Sequence, residues 1–82
     1  MNKLFSTNEM SDHIKLLDVV ALLADAPRYQ LRRGDVGTIV EALAPDVWLV
    51  EFNDNNGEEY AMAELLSDQL IVLHYEPALS LR

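Results

Sequence analysis

Two neighbouring segments with strong β patterns, joined by only three residues, constrain the fold of this chain most. VGTIVEAL (residues 36–43) and VWLVEF (residues 47–52) are rich in β-branched and aromatic residues. Pro45, in the APD tripeptide between them, suits position i+1 of a type I turn. Because side chains alternate between the faces of a strand, one face of the second segment, which we expect to be buried, carries Trp48, Val50 and Phe52.

The stretch EFNDNNGEEY (residues 51–60) places four carboxylates and three Asn around one Gly, a composition typical of a calcium loop or of a tight turn. An EF-hand loop with its position 6 on Gly57 would have Phe52 at position 1 and Ala63 at position 12, and neither side chain binds calcium. Asn56-Gly57 between two β patterns instead predicts a type I′ hairpin turn, because that turn needs φ > 0 at both central residues. We therefore predict a hairpin tip without a metal ion.

Three further segments can complete a set of five strands. EYAMAEL (residues 59–65) and the apolar residues 70–73 have strand patterns, and SDQ between them suits a short turn or 3₁₀ connector. The apolar residues of IKLLDVVALLADA (residues 14–26) fit a helix capped by Asp12, but residues 18–23 equally suit a strand, so periodicity leaves both open. With the strand, the chain has five short strands and one long loop, which is the plan of a small SH3-like barrel.

Two glycines after the long loop have structural explanations. Gly34 permits a tight turn into the strand that follows. Gly37 stands inside a strand pattern, where glycine marks a bulge or a close approach of another backbone.

Four segments carry a resemblance to a known family: LLDVVALLADAP, LRRGDVGTIVEAL, VEFNDNNGEEYAMAEL and LIVLHY. Together they resemble a small bacterial family of uncharacterised SH3-like proteins that share L-x-x-G-x-x-G-T-V-V-E, then V-E-F and a Gly turn. The resemblance implies a strand for residues 17–23 and an all-β, five-stranded SH3-like barrel over residues 14–76. Residues 1–13 are polar and lack apolar periodicity, so we expect a flexible N-terminal tail, and we expect residues 77–82 to form a C-terminal tail. Gln30 stands where relatives often carry Gly. Relatives are often encoded beside small toxin-like proteins, which implies an antidote role.

The net charge of −8 is unevenly distributed along the chain. Between Gly34 and Leu81 there are ten Asp and Glu residues and no Lys or Arg. Such a field repels phosphate backbones and attracts cationic partners, so it argues against nucleic acid and favours a basic protein partner. The loop before it carries a basic cluster, which we expect to pair with nearby carboxylates: Arg28, Arg32 and Arg33.

The sequence offers no recognisable catalytic or metal-binding arrangement. Ser67, Asp68 and His74 lie in no strand-turn-helix or triad context, and His13 and His74 are far apart in a chain without Cys. The polar N-terminus does not predict a signal peptide, and the apolar run at residues 14–24 is too short and too charged to span a membrane. We expect a cytoplasmic protein without cofactor, metal ion or enzymatic activity.

The sequence therefore predicts a noncatalytic, acidic protein-interaction module, and most concretely an antitoxin or immunity-type partner of a basic toxin. The predicted partner-binding residues surround the hairpin tip and the strand after it: Asp54, Glu58, Glu59, Tyr60 and Met62. Tyr and Met are enriched at the centres of interfaces. Two alternatives stay open. One is an accessory subunit of a larger enzyme or electron-transfer complex. The other is an RNA-binding SH3-like module, because GDVGTIVE resembles the glycine turn of such modules.

Overall fold

The computed structural model describes residues 13–74, in which five strands form one antiparallel sheet. In chain order the strands are β1 (Val19–Leu22), β2 (Val36–Ala44), β3 (Val47–Asn53), β4 (Glu59–Leu66) and β5 (Leu70–Val72). Their order across the sheet is β4-β3-β2-β1-β5, so β5 returns to lie beside β1. Two 3₁₀ turns interrupt the connections, at Pro27–Tyr29 and Ser67–Gln69. The predicted five-stranded, all-β fold is confirmed.

The segment that periodicity left open between helix and strand forms β1. This strand pairs with β2 on one side and with β5 on the other, so its backbone hydrogen bonds are made within the sheet. Val20 and Leu22 point into the core, while Ala21 is on the opposite face and is still only 9% exposed. Burial on both faces explains why the sequence VVAL lacks the alternation of a surface strand.

The tails predicted over residues 1–13 and 77–82 lie outside the described residues, apart from His13. Within residues 13–74 no helix is both long and apolar enough to cross a bilayer.

One face of the sheet carries the hydrophobic core. The face predicted for β3 is confirmed, because Val50 and Phe52 are fully buried and Trp48 is half-buried. Each large apolar side chain removed from water in this way stabilises the fold by roughly 1.5–3 kcal/mol. The other fully buried large side chains come from β1, β2, β4 and the β1–β2 loop: Val20, Ile39, Leu65 and Leu31.

Gly37 marks a close approach between β2 and β3, as predicted. A Cβ atom at this position would lie 2.8 Å from the backbone oxygen of Glu51, 2.8 Å from Cγ1 of Val50 and 3.0 Å from Cδ2 of Phe52. The bulges of β2 lie elsewhere, between Ile39 and Glu41 and between Ala42 and Ala44. Gly37 is therefore required by packing rather than by a bulge.

The turn at the tip of the β3–β4 hairpin differs from the predicted type I′ turn. Positive φ occurs there only at Gly57 (79°), and Asn56 does not adopt it. The N–H of Gly57 donates to the carbonyl of Asp54 at 3.0 Å, so Asp54 begins a four-residue turn with Gly57 at its end. The reason is the Asp54 carboxylate, whose Oδ1 accepts from the N–H of Asn56 at 2.8 Å and of Glu58 at 3.0 Å. Asp at the first position and Gly at the fourth are typical of type I turns.

The turn between β2 and β3 also differs from its prediction. Asp46 has φ of 63°, whereas the corresponding residue of a type I turn has negative φ. The backbone of Asp46 accepts a hydrogen bond from the N–H of Ser67 at 3.0 Å, and its carboxylate accepts from Oγ of Ser67 at 3.1 Å. These contacts hold Asp46 in a conformation that Asp tolerates better than most residues.

Gln30 ends the first 3₁₀ turn in the left-handed conformation, with φ 60° and ψ 37°. Its N–H donates to the carbonyl of Pro27 at 2.9 Å. A position of this kind favours glycine, the residue that the family resemblance implies here.

Candidate protein-binding site

The predicted site begins at the tip of the β3–β4 hairpin, where the carboxylates have different roles. Asp54 accepts the two backbone hydrogen bonds that shape the turn, so it supports the loop. Glu58 and Glu59 are exposed. The ion pair found within residues 13–74 joins Lys15 to Asp18, outside this tip. Glu58 and Glu59 are therefore available to a partner, whereas Asp54 acts mainly by holding them in place.

Tyr60 lies at a bulge in β4. Phe52 is opposite Ala61 and Asn53 is opposite Glu59, so Tyr60 is the extra residue between two pairs. Its ring centroid lies 6.5 Å from that of Phe52, and the side chain is 50% exposed. Partial burial raises the pKa of the Tyr60 hydroxyl, the carboxylates of Asp35 and Asp54 add to this increase, and the guanidinium of Arg32 offsets part of it. Tyr60 therefore lies within range of charges of both signs, from Asp54 at the tip and from Arg32 and Asp35 of the β1–β2 loop.

Met62 belongs to a second surface, the outer face of β2, β3 and β4. Met62 is opposite Glu51, and in the next row of the same face Leu49 lies between Glu41 and Glu64. Met62 is 38% exposed and Leu49 is half-buried. We call these five residues the acidic face. Its two apolar side chains are flanked by three carboxylates.

The three carboxylates of the acidic face were not among the partner-binding residues predicted from the sequence: Glu41, Glu51 and Glu64. Alternation along each strand indicates that these residues point outward, but their grouping depends on register. The bulges in β2 change that register, and nothing in the local sequence determines where they lie. The structure thus places the five predicted residues in two adjoining regions: Asp54, Glu58, Glu59 and Tyr60 at the tip, and Met62 on the acidic face.

The basic cluster of the β1–β2 loop does not form the predicted pairs with carboxylates among the described residues. Instead, the carboxylates accept from the arginine backbone: Arg32 N–H donates to Asp35 at 2.9 Å, and Arg33 N–H donates to Asp25 at 2.9 Å. The guanidinium of Arg28 lies 5.4 Å from the centre of the Tyr29 ring. A backbone amide has a fixed position in a tight turn and competes well for a nearby carboxylate.

Ser67, for which the sequence shows no catalytic context, has a structural role. Its hydroxyl accepts from Nε1 of Trp48 at 2.8 Å and donates to the carboxylate of Asp46 at 3.1 Å. This chain of bonds connects the β2–β3 turn to the second 3₁₀ turn. Across residues 13–74, no group of three or more His, Cys, Asp or Glu residues is placed to hold a metal ion.

Comparison with known proteins gives a family but no activity. No curated protein and no solved structure matches the chain. A family model described as a domain of unknown function (DUF4926) matches residues 16–72, which is more than half of the chain and includes all five strands. The chain is therefore a member of the DUF4926 family.

Proposed function

We propose that this domain is a noncatalytic, acidic protein-interaction module that binds a cationic protein. The observation that carries the proposal is the acidic face, where Leu49 and Met62 lie among Glu41, Glu51 and Glu64. No Lys or Arg occurs in the sequence between Gly34 and Leu81, and within residues 13–74 none of these three carboxylates forms an ion pair. An apolar centre with a polar, solvent-accessible rim is a common arrangement in protein interfaces.

The two kinds of side chain would contribute differently to binding. Rim carboxylates act mainly on the rate of association, because they attract a cationic partner over a distance of about one Debye length, roughly 8–10 Å at ordinary salt. The apolar residues Leu49, Met62 and Tyr60 would hold the complex once formed, and so act on the dissociation rate.

The most concrete form of the proposal is an antitoxin or immunity-type protein that neutralises a basic toxin. Its support is the family resemblance together with the charge of the acidic face. An accessory subunit of a larger enzyme or electron-transfer complex is the alternative that also uses a protein partner. Affinity purification from the native host distinguishes them, because the first form predicts a small basic protein and the second predicts the subunits of a larger complex.

The test of the site is the association rate with the purified partner at about 50 and 300 mM salt. The test variant neutralises three carboxylates at the tip and on the acidic face, as Glu51→Gln, Glu59→Gln and Glu64→Gln. Asp54 is left unchanged because its loss would also disturb the turn. We expect slower association at the lower salt and a weaker dependence on salt.

A matched pair of single variants controls for the loss of charge itself. Glu64→Gln and Asp68→Asn each remove one exposed carboxylate, but Asp68 lies in the second 3₁₀ turn, outside the acidic face. Only Glu64→Gln should slow association. Equal rates for the triple variant and the wild type at both salt concentrations would show that the acidic face does not steer the partner. Salt-dependent, micromolar binding of single-stranded RNA at about 150 mM salt would instead favour the RNA-binding alternative.

A further inference from the structure

Part of the exposed edge of β4 has backbone groups that lack a partner among the described residues. β4 pairs with β3 on one side only. In an antiparallel pair, alternate residues direct their N–H and C=O groups toward the neighbouring strand and away from it. Along the outer edge of β4, the N–H and C=O groups of every second residue therefore point away from β3.

Two side-chain hydrogen bonds identify the residues of β4 that point outward. The N–H of Glu64 donates to the Tyr29 hydroxyl at 3.2 Å, and the N–H of Leu66 donates to Oε1 of Gln69 at 2.8 Å. Because the period of a strand is two residues, the N–H and C=O of Met62 point the same way. Within residues 13–74 nothing accepts from this N–H or donates to this C=O. Tyr29 and Gln69 thus cover one half of the edge and leave the half near the hairpin tip uncovered.

We call residues 59–62 the open edge. An uncovered strand edge can accept another extended segment through backbone hydrogen bonds, unless charge or a bulge prevents it. The bulge at Tyr60 confines the opening to a short length next to Met62. Both Tyr60 and Met62 are exposed there, so an added strand would also gain apolar contacts.

The charges around the open edge determine which kind of segment can be added. Side chains directly opposite each other on adjacent strands lie about 5 Å apart, so an added strand would face Glu59, with Glu64 as a diagonal neighbour beyond Met62. Asp35 and Asp54 also lie near Tyr60, where Arg32 offsets only part of the negative charge. Lys or Arg at these positions is favourable and Asp or Glu is unfavourable. A second copy of β4 is disfavoured for the same reason, since two chains of net charge −8 would meet through carboxylate-bearing edges.

We infer that the open edge is a strand-addition site for an extended, cationic segment of the partner protein. This inference rests on the proposed function and adds to it the form of the partner: an extended segment with Lys or Arg, rather than a folded basic surface alone. Backbone hydrogen bonds to Met62 supply the register, and the acidic residues on either side select the charge.

The experiment uses the full chain and three synthetic peptides of ten residues. The first alternates Lys and Val, the second has the same sequence with every backbone nitrogen methylated, and the third replaces Lys with Glu. Binding is followed by NMR at the backbone amide of Met62. The amide of Ala63, which points toward β3, serves as the internal control.

We expect the Met62 amide of the free protein to exchange with solvent at least about tenfold faster than that of Ala63, and to slow when the Lys–Val peptide is added. The methylated peptide keeps its charge but cannot donate backbone hydrogen bonds, so it should bind at least about tenfold more weakly.

Each contrary result has a distinct meaning. Equal affinity of the methylated and unmethylated peptides, absence of binding by the Lys–Val peptide, or a protected Met62 amide in the free protein would overturn strand addition. If the Lys–Val peptide binds equally well with and without methylation, strand addition is wrong, but the cationic partner of the proposed function is not contradicted. Binding of the Glu–Val peptide as tightly as the Lys–Val peptide would contradict the proposed function itself.

Discussion

Replacing Gly37 with alanine tests whether the close approach of β2 and β3 is essential to the fold. The new Cβ would lie 2.8 Å from the backbone oxygen of Glu51, 2.8 Å from Val50 Cγ1 and 3.0 Å from Phe52 Cδ2. Val50 and Phe52 are fully buried and cannot move into solvent. Overpacking of this kind costs about 1–3 kcal/mol, and the contact with a backbone oxygen places this site at the upper end.

The lower flexibility of alanine in the unfolded chain offsets about 0.4–1 kcal/mol of that cost, so we expect a net loss of about 2 kcal/mol. Urea unfolding followed by Trp48 fluorescence and circular dichroism measures it. With a slope of about 1 kcal/mol/M for a domain of this size, the midpoint should fall by about 2 M.

Gly34→Ala and Gly57→Ala are the controls for this substitution. Both glycines have positive φ, but nothing lies within 4 Å of an added Cβ. Their cost is conformational and should be about 1 kcal/mol. A Gly37→Ala midpoint within about 0.3 M of the wild type would refute the packing argument, on the same assumed slope.

Three other predictions concern single residues. Gln30→Gly should raise the free energy of unfolding by about 0.5 kcal/mol, because the relief of left-handed backbone strain exceeds the added entropy of the unfolded chain. An unchanged or lower melting temperature would contradict this. Asp54→Ala should cost about 1–2 kcal/mol in urea unfolding, since two amides lose their acceptor, whereas Glu58→Ala at the same tip should stay within about 0.5 kcal/mol. Burial raises the pKa of Asp18, but hydrogen bonds from the side chain and amide of Lys15 outweigh it and lower the pKa overall. Because the pKa of Asp18 is lower in the folded state, its ionised carboxylate stabilises the fold at pH values above the usual Asp pKa. This contribution is lost as the pH falls through the lowered pKa. Asp18→Asn should therefore be less stable than wild type at pH 7, with a difference that shrinks below about pH 4; a constant difference would disprove the linkage.

The strands were predictable from the sequence because their signals are local. The predicted residues 47–52 and 59–65 each fall within one residue of the observed Val47–Asn53 and Glu59–Leu66. β1 required the family resemblance, since a strand buried on both faces has no alternation to distinguish it from a buried helix.

The turns were less predictable because their conformation depends on side-chain acceptors. The Asn56-Gly57 pair favours a type I′ turn in isolation, but the carboxylate of Asp54 accepts from two amides and stabilises the turn that begins at Asp54 and ends at Gly57. In the β2–β3 turn, the positive φ of Asp46 is supported by Ser67, which lies 21 positions away in sequence.

The candidate site was only partly predictable for the same reason. Exposed Tyr60 and Met62 follow from the strand pattern, whereas the grouping of Glu41, Glu51 and Glu64 depends on bulges. The extent of the open edge is set by the Tyr29 hydroxyl, which covers the backbone of Glu64, 35 positions away in sequence. Contacts of this range arise from the packed loop and leave no local pattern.

The pairing of β1 with β5 determines how the domain would respond to mechanical force. The N–H of Leu73 donates to the carbonyl of Val19 at 2.8 Å, so the start of β1 and the end of β5 lie side by side. Tension applied at residues 13 and 74 would load this hydrogen bond early, together with the bond from the Leu17 N–H to the carbonyl of Ile39. The ladder would then open one bond at a time, as a zipper does, instead of shearing with all bonds loaded together. In a protein that carried this domain between two stretched segments, the β1–β5 pair would therefore separate first. The hairpins formed by β2, β3 and β4, which carry the acidic face, would come under load only afterwards.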